Sequence, residues 1–136
     1  MITLHFGIAI LTGLIVLYSD EQAFMWILGK KQFMDHGRVV FLHRAVTTGL
    51  ILLILSGGLM YAQAAPAYLS VTPFITKMVI IFALILNTYV IDRFSAVALT
   101  RTFASLTSKE RIPLFITGAI SFGGWATAFI CGLLIS

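Results

Sequence analysis

Four long apolar runs leave this chain few ways to fold. They cover approximately residues 2–19, 39–62, 72–92 and 113–135. Each run is close to the roughly 20 residues that span about 30 Å of hydrocarbon at about 1.5 Å per residue. The bilayer core has no water to satisfy backbone groups, so these runs must be helices, and no period-two alternation indicates a barrel. The sequence therefore predicts an all-α integral membrane protein, a four-transmembrane-helix antiparallel bundle.

Composition agrees with this class. The chain is 60% hydrophobic and only 10% charged, whereas soluble domains average about 25% charged residues. A length of 136 residues predicts one transmembrane domain, 1–136. The single cysteine, Cys131, excludes an internal disulfide and a multi-cysteine metal site. The first run has neither a basic segment before it nor a small-residue cleavage site after it, so we expect it to remain as a helix.

Short motifs predict where the helices begin and end. Gly29, followed by two lysines, is a plausible stop for the first helix, and Asp35 is a candidate cap for the second. Thr107 and Glu110 have the spacing of a capping box for the fourth helix. Trp26 is suited to the membrane interface. The predicted helices cover approximately 2–28, 37–62, 72–104 and 108–135.

The basic residues between the runs predict an orientation. The second connection, 62–72, holds no charge. The first and third connections hold seven basic residues: Lys30, Lys31, Arg38, Arg93, Arg101, Lys109 and Arg111. The positive-inside rule places the basic connections in the cytoplasm and both termini outside, most simply in a bacterial inner membrane. Because the net charge of +4 comes from these helix ends, it does not indicate a nucleic-acid partner. The expected partners are the lipid bilayer and other membrane subunits, or a second copy of the chain.

Depth along the helices sorts the polar residues into layers. An inner polar layer is predicted at the cytoplasmic edge, made of Asp20, His43, Arg44, Asp92 and Arg93. It has two interpretations: a ring of ion pairs with cations extending to the interface, or a proton- or ion-binding vestibule on Asp20 and His43. An outer polar layer holds His5 and Lys77, and we expect the lysine to extend outward to the interface.

Two further features concern helix packing. Asn87 is the strongly polar residue near mid-membrane, and such an asparagine usually hydrogen-bonds to another helix. Gly124, Ala128 and Gly132 put a small residue at every fourth position of the last helix, which permits close approach of another helix. This helix-packing strip predicts a contact within the monomer or, alternatively, a dimer interface.

The histidines raise the question of haem b or a metal ion. Two axial ligands must lie at the same depth, but His5 and His43 are separated by about 20 Å on the helical rise. His36 lies about 10 Å from His43 along one helix and also cannot face it across an iron. A site with one histidine, His5 or His43, remains as the candidate. No motif for nucleophilic catalysis, phosphate binding or dinucleotide binding is present, so no catalytic residue is predicted.

Short segments of the chain resemble a known group. His5 two positions before Gly7, then Gly13, Ser19-Asp20 and an aromatic stretch through Phe24, are similar to the opening of small bacterial four-helix membrane proteins loosely near the copper-resistance protein D-like group. The segments Thr76-Lys77-Met78 and Leu86-Asn87 are similar to a later helix of such proteins. The resemblance implies a four-helix membrane fold and a link to haem or copper handling, and singles out His5, Asp20, Lys77 and Asn87.

Three functions are therefore predicted as alternatives. The first is a non-enzymatic accessory or assembly subunit that docks on a larger membrane complex through the helix-packing strip. The second is a haem- or metal-handling redox protein that uses His5 or His43. The third is a small proton- or ion-coupled carrier that uses Asp20 with His43.

Overall fold

The computed structural model describes residues 1–68 and 71–135, with the side chains of 64–68 left out. In this part of the chain there are four α-helices, joined by loops and one short 3-10 helix, Phe103–Ser105. The α-helices are α1 (Ile2–Ile27), α2 (His36–Tyr68), α3 (Thr72–Thr100) and α4 (Ser108–Ile135). Each of the four is long and apolar enough to cross a membrane. The predicted all-helical class with four membrane-length helices is confirmed.

Two helix ends differ from the predicted bounds. The second helix continues past residue 62 to Tyr68 because residues 62–65, Ala-Gln-Ala-Ala, are strong helix formers. The third helix ends at Thr100 instead of 104, since Arg101 adopts an extended conformation with φ −130° and ψ 147°. The chain then forms the short 3-10 helix before α4.

The end of α1 is a glycine-terminated motif. Gly29 has a φ of 75°, a left-handed conformation that costs glycine little. The Lys30 N–H donates to the Met25 carbonyl at 3.0 Å, and the Gly29 N–H donates to the Trp26 carbonyl at 3.1 Å. This pair of hydrogen bonds is a Schellman motif, which satisfies carbonyls that the helix leaves open. The predicted stop at Gly29 is confirmed.

The predicted caps of α2 and α4 are confirmed as well. An Asp35 carboxylate oxygen accepts from the Gly37 N–H at 3.1 Å. At α4 the Glu110 N–H donates to the Thr107 hydroxyl at 3.4 Å, while the Thr107 N–H donates to the Glu110 carboxylate at 3.3 Å. This reciprocal pair is a capping box.

The contacts run antiparallel around the bundle. His5, near the start of α1, contacts Ser56 late in α2, whereas Gln22 near the end of α1 contacts Arg38 early in α2. The helices α3 and α4 pair in the same way. Residues 28–35 and 101–107 therefore share one end, which we call the basic end. The opposite end, which holds the start of α1 and the end of α4, is the terminal end.

The four helices are organised as two hairpins. Contacts within the pairs α1–α2 and α3–α4 are far more extensive than those between the pairs. Around the outside, large apolar side chains are exposed, among them Leu11, Phe41 and Phe82 at 63%, 69% and 64%. Such an apolar surface is suited to contact with the acyl chains of lipids.

The two hairpins lock together at the basic end. The Trp26 side chain, only 3% exposed, donates its indole N–H to the Arg101 carbonyl at 3.0 Å. Its ring meets that of Phe103 edge-on, with the centroids 5.4 Å apart. The Met34 N–H donates to the Ala98 carbonyl at 3.0 Å. Trp26 thus packs inside the protein at the basic end.

The helices α1 and α2 approach each other closely where Gly49 meets Thr12. A Cβ atom on Gly49 would lie 2.3 Å from the Thr12 hydroxyl oxygen and 2.5 Å from its methyl carbon. The Thr12 hydroxyl donates to the Ile8 carbonyl at 2.7 Å, which restricts the threonine to this rotamer. The absence of a side chain at Gly49 is therefore a packing requirement of this hairpin.

We predict that Gly49→Ala lowers the free energy of unfolding by about 1–3 kcal/mol, the usual cost of overpacking. Gly58→Ala on the same helix is the matched control, because nothing lies within 4 Å of its added Cβ. Unfolding by sodium dodecyl sulfate, followed by circular dichroism, measures both. Equal stability of the two variants would contradict the close contact at Gly49.

Candidate functional site

Three adjoining cavities run through the space between the two hairpins. The basic-end cavity, about 420 Å³, is lined by Asp20, His43 and Asn87 among others. The middle cavity, about 410 Å³, reaches from Asp20 to His5 and Lys77. The terminal-end cavity, about 520 Å³, again includes His5 and Lys77 in its wall. Ionisable side chains therefore stand where one cavity meets the next, in volumes typical of small-molecule sites.

Asp20 stands between the basic-end and middle cavities. Its carboxylate oxygen Oδ2 is shielded from solvent and has no hydrogen-bond partner among the described residues. The neighbouring cavity walls are largely apolar. A carboxylate oxygen that has lost its water without gaining a partner makes the ionised form more costly, and ionisable residues within membrane helices often mark ion or proton pathways.

The rest of the predicted inner polar layer does not gather around Asp20. His43 Nε2 lies 3.9 Å from Asp92 Oδ1, with side chains 32% and 69% exposed, so this pair is a surface contact of small energetic value. Arg44 and Arg93 are exposed and make no hydrogen bond or ion pair with the described part of the chain. Of these five residues, Asp20 and His43 line the basic-end cavity.

At the other end of the middle cavity, the structure brings the outer polar residues together. His5 is 8% exposed, and its Nδ1 lies 2.8 Å from the Ser56 hydroxyl. Lys77 Nζ lies 3.4 Å from His5 Nε2, and also 3.4 Å from the position that a Cβ on Gly132 would occupy. Lys77 therefore points into the bundle, and the outward orientation predicted for it is wrong. The glycine leaves room for its ammonium group.

The hydrogen bonds assign the proton positions in this cluster. Ser56 has one hydroxyl proton, and it donates to the Leu52 carbonyl at 2.8 Å. With the Ser56 proton directed at the Leu52 carbonyl, His5 donates through Nδ1–H to the Ser56 oxygen, and Nε2 is the acceptor for Lys77. His5 is thus a neutral imidazole between a hydroxyl and an ammonium group.

This arrangement does not fit haem b or a metal ion at His5. Ligation uses the unprotonated nitrogen, Nε2, and the Lys77 ammonium already occupies that side with a positive charge. His43 Nε2 has the carboxylate of Asp92 at 3.9 Å. Among the described residues, no group of three or more histidine, cysteine, aspartate or glutamate side chains is placed to hold a metal ion.

Asn87 connects α3 and α4 in the middle of the bundle. Its amide donates to the Thr117 carbonyl at 3.0 Å, and the residue is 5% exposed. The neighbouring Thr88 hydroxyl donates to the Leu84 carbonyl of its own helix. The inter-helix hydrogen bond predicted for Asn87 is therefore present, and the residue also lines the basic-end cavity.

The helix-packing strip of α4 is used within the monomer. A Cβ on Gly124 would lie 2.8 Å from a methyl carbon of Leu84, Ala128 is buried, and Gly132 faces Lys77. The alternative in which the strip docks a second protein would require a face that α3 already covers.

Gln22 was missed by the sequence-based prediction. It is 6% exposed, and its side-chain oxygen accepts from both Lys31 and Arg38, the latter at 3.0 Å. Two basic residues of the first connection are thus held on α1 instead of remaining free. A neutral glutamine beside charged residues carries little signal, so only the fold reveals this contact.

Comparisons of the chain with protein-family models, with curated proteins and with solved structures find no match. The candidate site therefore stands on its own geometry. It consists of the three cavities, with Asp20 at one junction and the His5–Lys77 pair at the other.

We predict that Asn87→Leu lowers the free energy of unfolding by about 0.6 kcal/mol, the average for inter-helix hydrogen bonds in a membrane protein, and by no more than about 2 kcal/mol. Thr88→Val is the control, since it removes a hydrogen bond within one helix. Detergent unfolding followed by circular dichroism compares the two. A larger loss for Thr88→Val would show that Asn87 does not hold α3 and α4 together.

Proposed function

We propose that the protein is a small proton-coupled carrier of the bacterial inner membrane, with Asp20 as its proton-binding group. The observation that supports this most directly is the shielded, unpartnered Asp20 oxygen between the basic-end and middle cavities. A carboxylate with a structural role would have a hydrogen-bonding or ionic partner. His43 lines the same basic-end cavity and is the second titratable group there.

A proton suits Asp20 better than a metal cation does. Hard cations such as Mg²⁺ and Ca²⁺ need about six or more oxygen ligands, and no cluster of candidate ligands exists in the described part of the chain. A proton needs one oxygen. The group can therefore change charge without further ligands.

The loose contact between the two hairpins is what a carrier needs in order to move. Each hairpin is tightly packed internally, whereas the interface between hairpins holds the cavities. Rocking of one packed unit against another around a central site is a common basis of alternating access.

The other predicted functions receive less support from the geometry. The accessory-subunit hypothesis relied on a helix-packing strip that is already covered by α3. The haem or metal hypothesis relied on His5 or His43, and the Lys77 ammonium beside His5 Nε2 disfavours ligation at His5. Docking through another face, and the resemblance to the copper-resistance protein D-like group, stay predictions.

We predict that Asp20→Asn abolishes proton movement into proteoliposomes that contain a pH-sensitive dye, when a potassium diffusion potential drives the flow. The amide keeps the size of the side chain but cannot exchange a proton. Asp92→Asn is the control, because Asp92 is an exposed acid at the same end of the bundle. Proton movement equal to that of empty liposomes in the wild type, or unchanged in Asp20→Asn, would contradict the proposal.

The proposed orientation puts both termini outside and the basic end in the cytoplasm, and it has its own test. In a Cys131→Ser background, we expect Gln63→Cys to react with a membrane-impermeant maleimide in intact cells. Lys109→Cys should react only after the membrane is opened. The reverse pattern would mean that the basic end faces outward.

A further inference from the structure

We propose that Lys77 and His5 form a binding site for an amphipathic anion, one whose carboxylate or phosphate contacts the Lys77 ammonium while its apolar body lies in the terminal-end and middle cavities. As a statement about the cargo of a carrier, the inference rests on the proposed function. As a statement about binding, it needs no transport and is tested without it.

The first argument is the uncompensated charge of Lys77. Its ammonium has three N–H donors, and one of them reaches neutral His5 at a long 3.4 Å. No carboxylate in residues 1–68 or 71–135 forms an ion pair with it. The thiol of Cys131 is the other titratable group beside it, and a thiol is a weak partner. An unpaired ammonium in an apolar helix is costly, and an anion would remove that cost.

The second argument is that the site is held in place. The hydrogen bonds from Ser56 to the Leu52 carbonyl and from His5 to Ser56 orient the imidazole, so that Nε2 presents a lone pair to Lys77. A Cβ on Gly57 would lie 3.4 Å from the imidazole, which packs His5 against α2. The imidazole thus anchors the ammonium while its other two donors remain available at the junction of the cavities.

The third argument is the shape of the space around the charge. The walls of the terminal-end cavity are largely apolar and include the exposed side chains Ile54, Met78 and Phe82. The cavity therefore reaches the lipid-facing surface between α2 and α3. An anion without an apolar body would leave these walls unfilled. The geometry suits a ligand with one charged group and an apolar tail that enters from the membrane.

Native mass spectrometry of the full-length protein in mild detergent tests this directly. The probes are oleate, methyl oleate, dioleoyl phosphatidylglycerol and dioleoyl phosphatidylcholine. We expect one saturable adduct with an anionic probe and none with its counterpart that lacks net charge. Binding of oleate alone identifies a free carboxylic acid, and binding of phosphatidylglycerol alone identifies a phosphate headgroup. Equal binding of charged and neutral counterparts, or no binding of either anion, overturns the site.

Variants locate the site. Lys77→Met should weaken binding of the anion by more than about tenfold, as loss of one partner of a buried charge pair does. Lys77→Arg keeps the charge and should retain most of the binding. Lys109→Met removes an exposed lysine at the opposite end and should bind as the wild type does. Unchanged binding in Lys77→Met overturns the assignment, and if that variant does not fold, the comparison of oleate with methyl oleate in the wild type still decides.

Discussion

Close contact between helices at glycine residues determines how the four helices of this bundle pair into two hairpins. A bilayer offers no hydrophobic gain when two apolar helices meet, so small residues decide where backbones come together. The Thr12 side chain packs against Gly49 in the first hairpin, and the Leu84 side chain packs against Gly124 in the second. Between the hairpins, contact is made by large side chains near the ends, such as Trp26 with the loop after α3. The interface is therefore closed at the basic end and spacious in the middle.

This spacing explains where the polar residues become functional. Most interior polar groups are satisfied locally: Thr12 by its own helix, Ser56 by its own helix and His5, and Asn87 by α4. Among the described residues, Asp20 Oδ2 has no hydrogen-bond partner and Lys77 has no carboxylate partner, and both residues line the middle cavity. Along α1, Asp20 lies about 22 Å from His5, the neighbour of Lys77. The acid and the base are thus too far apart to neutralise each other, and each is left for a mobile ligand.

The direction in which a polar side chain points could not be predicted from the sequence. The relative depth of a residue could be predicted, because the rise per residue converts sequence position to depth. His5 and Lys77 were assigned to one layer, and their side chains are in contact. The outward extension of Lys77 was wrong because Gly132, which is distant in the sequence, leaves space for its ammonium inside the bundle. In the predicted inner polar layer, Arg44 and Arg93 are exposed and do not line the cavities beside Asp20.

The sequence alone determined the four membrane-length helices, their capping motifs at Gly29, Asp35 and Thr107, and the asymmetry of charge between the two ends. These depend on local periodicity, turn chemistry and the absence of water in hydrocarbon, all of which can be read from neighbouring residues. Only the tertiary structure decided which helix faces cover one another, where the cavities lie, and which ionisable groups remain without partners. Those properties depend on contacts between residues far apart in the chain, such as Lys77 with His5, and no local pattern encodes them.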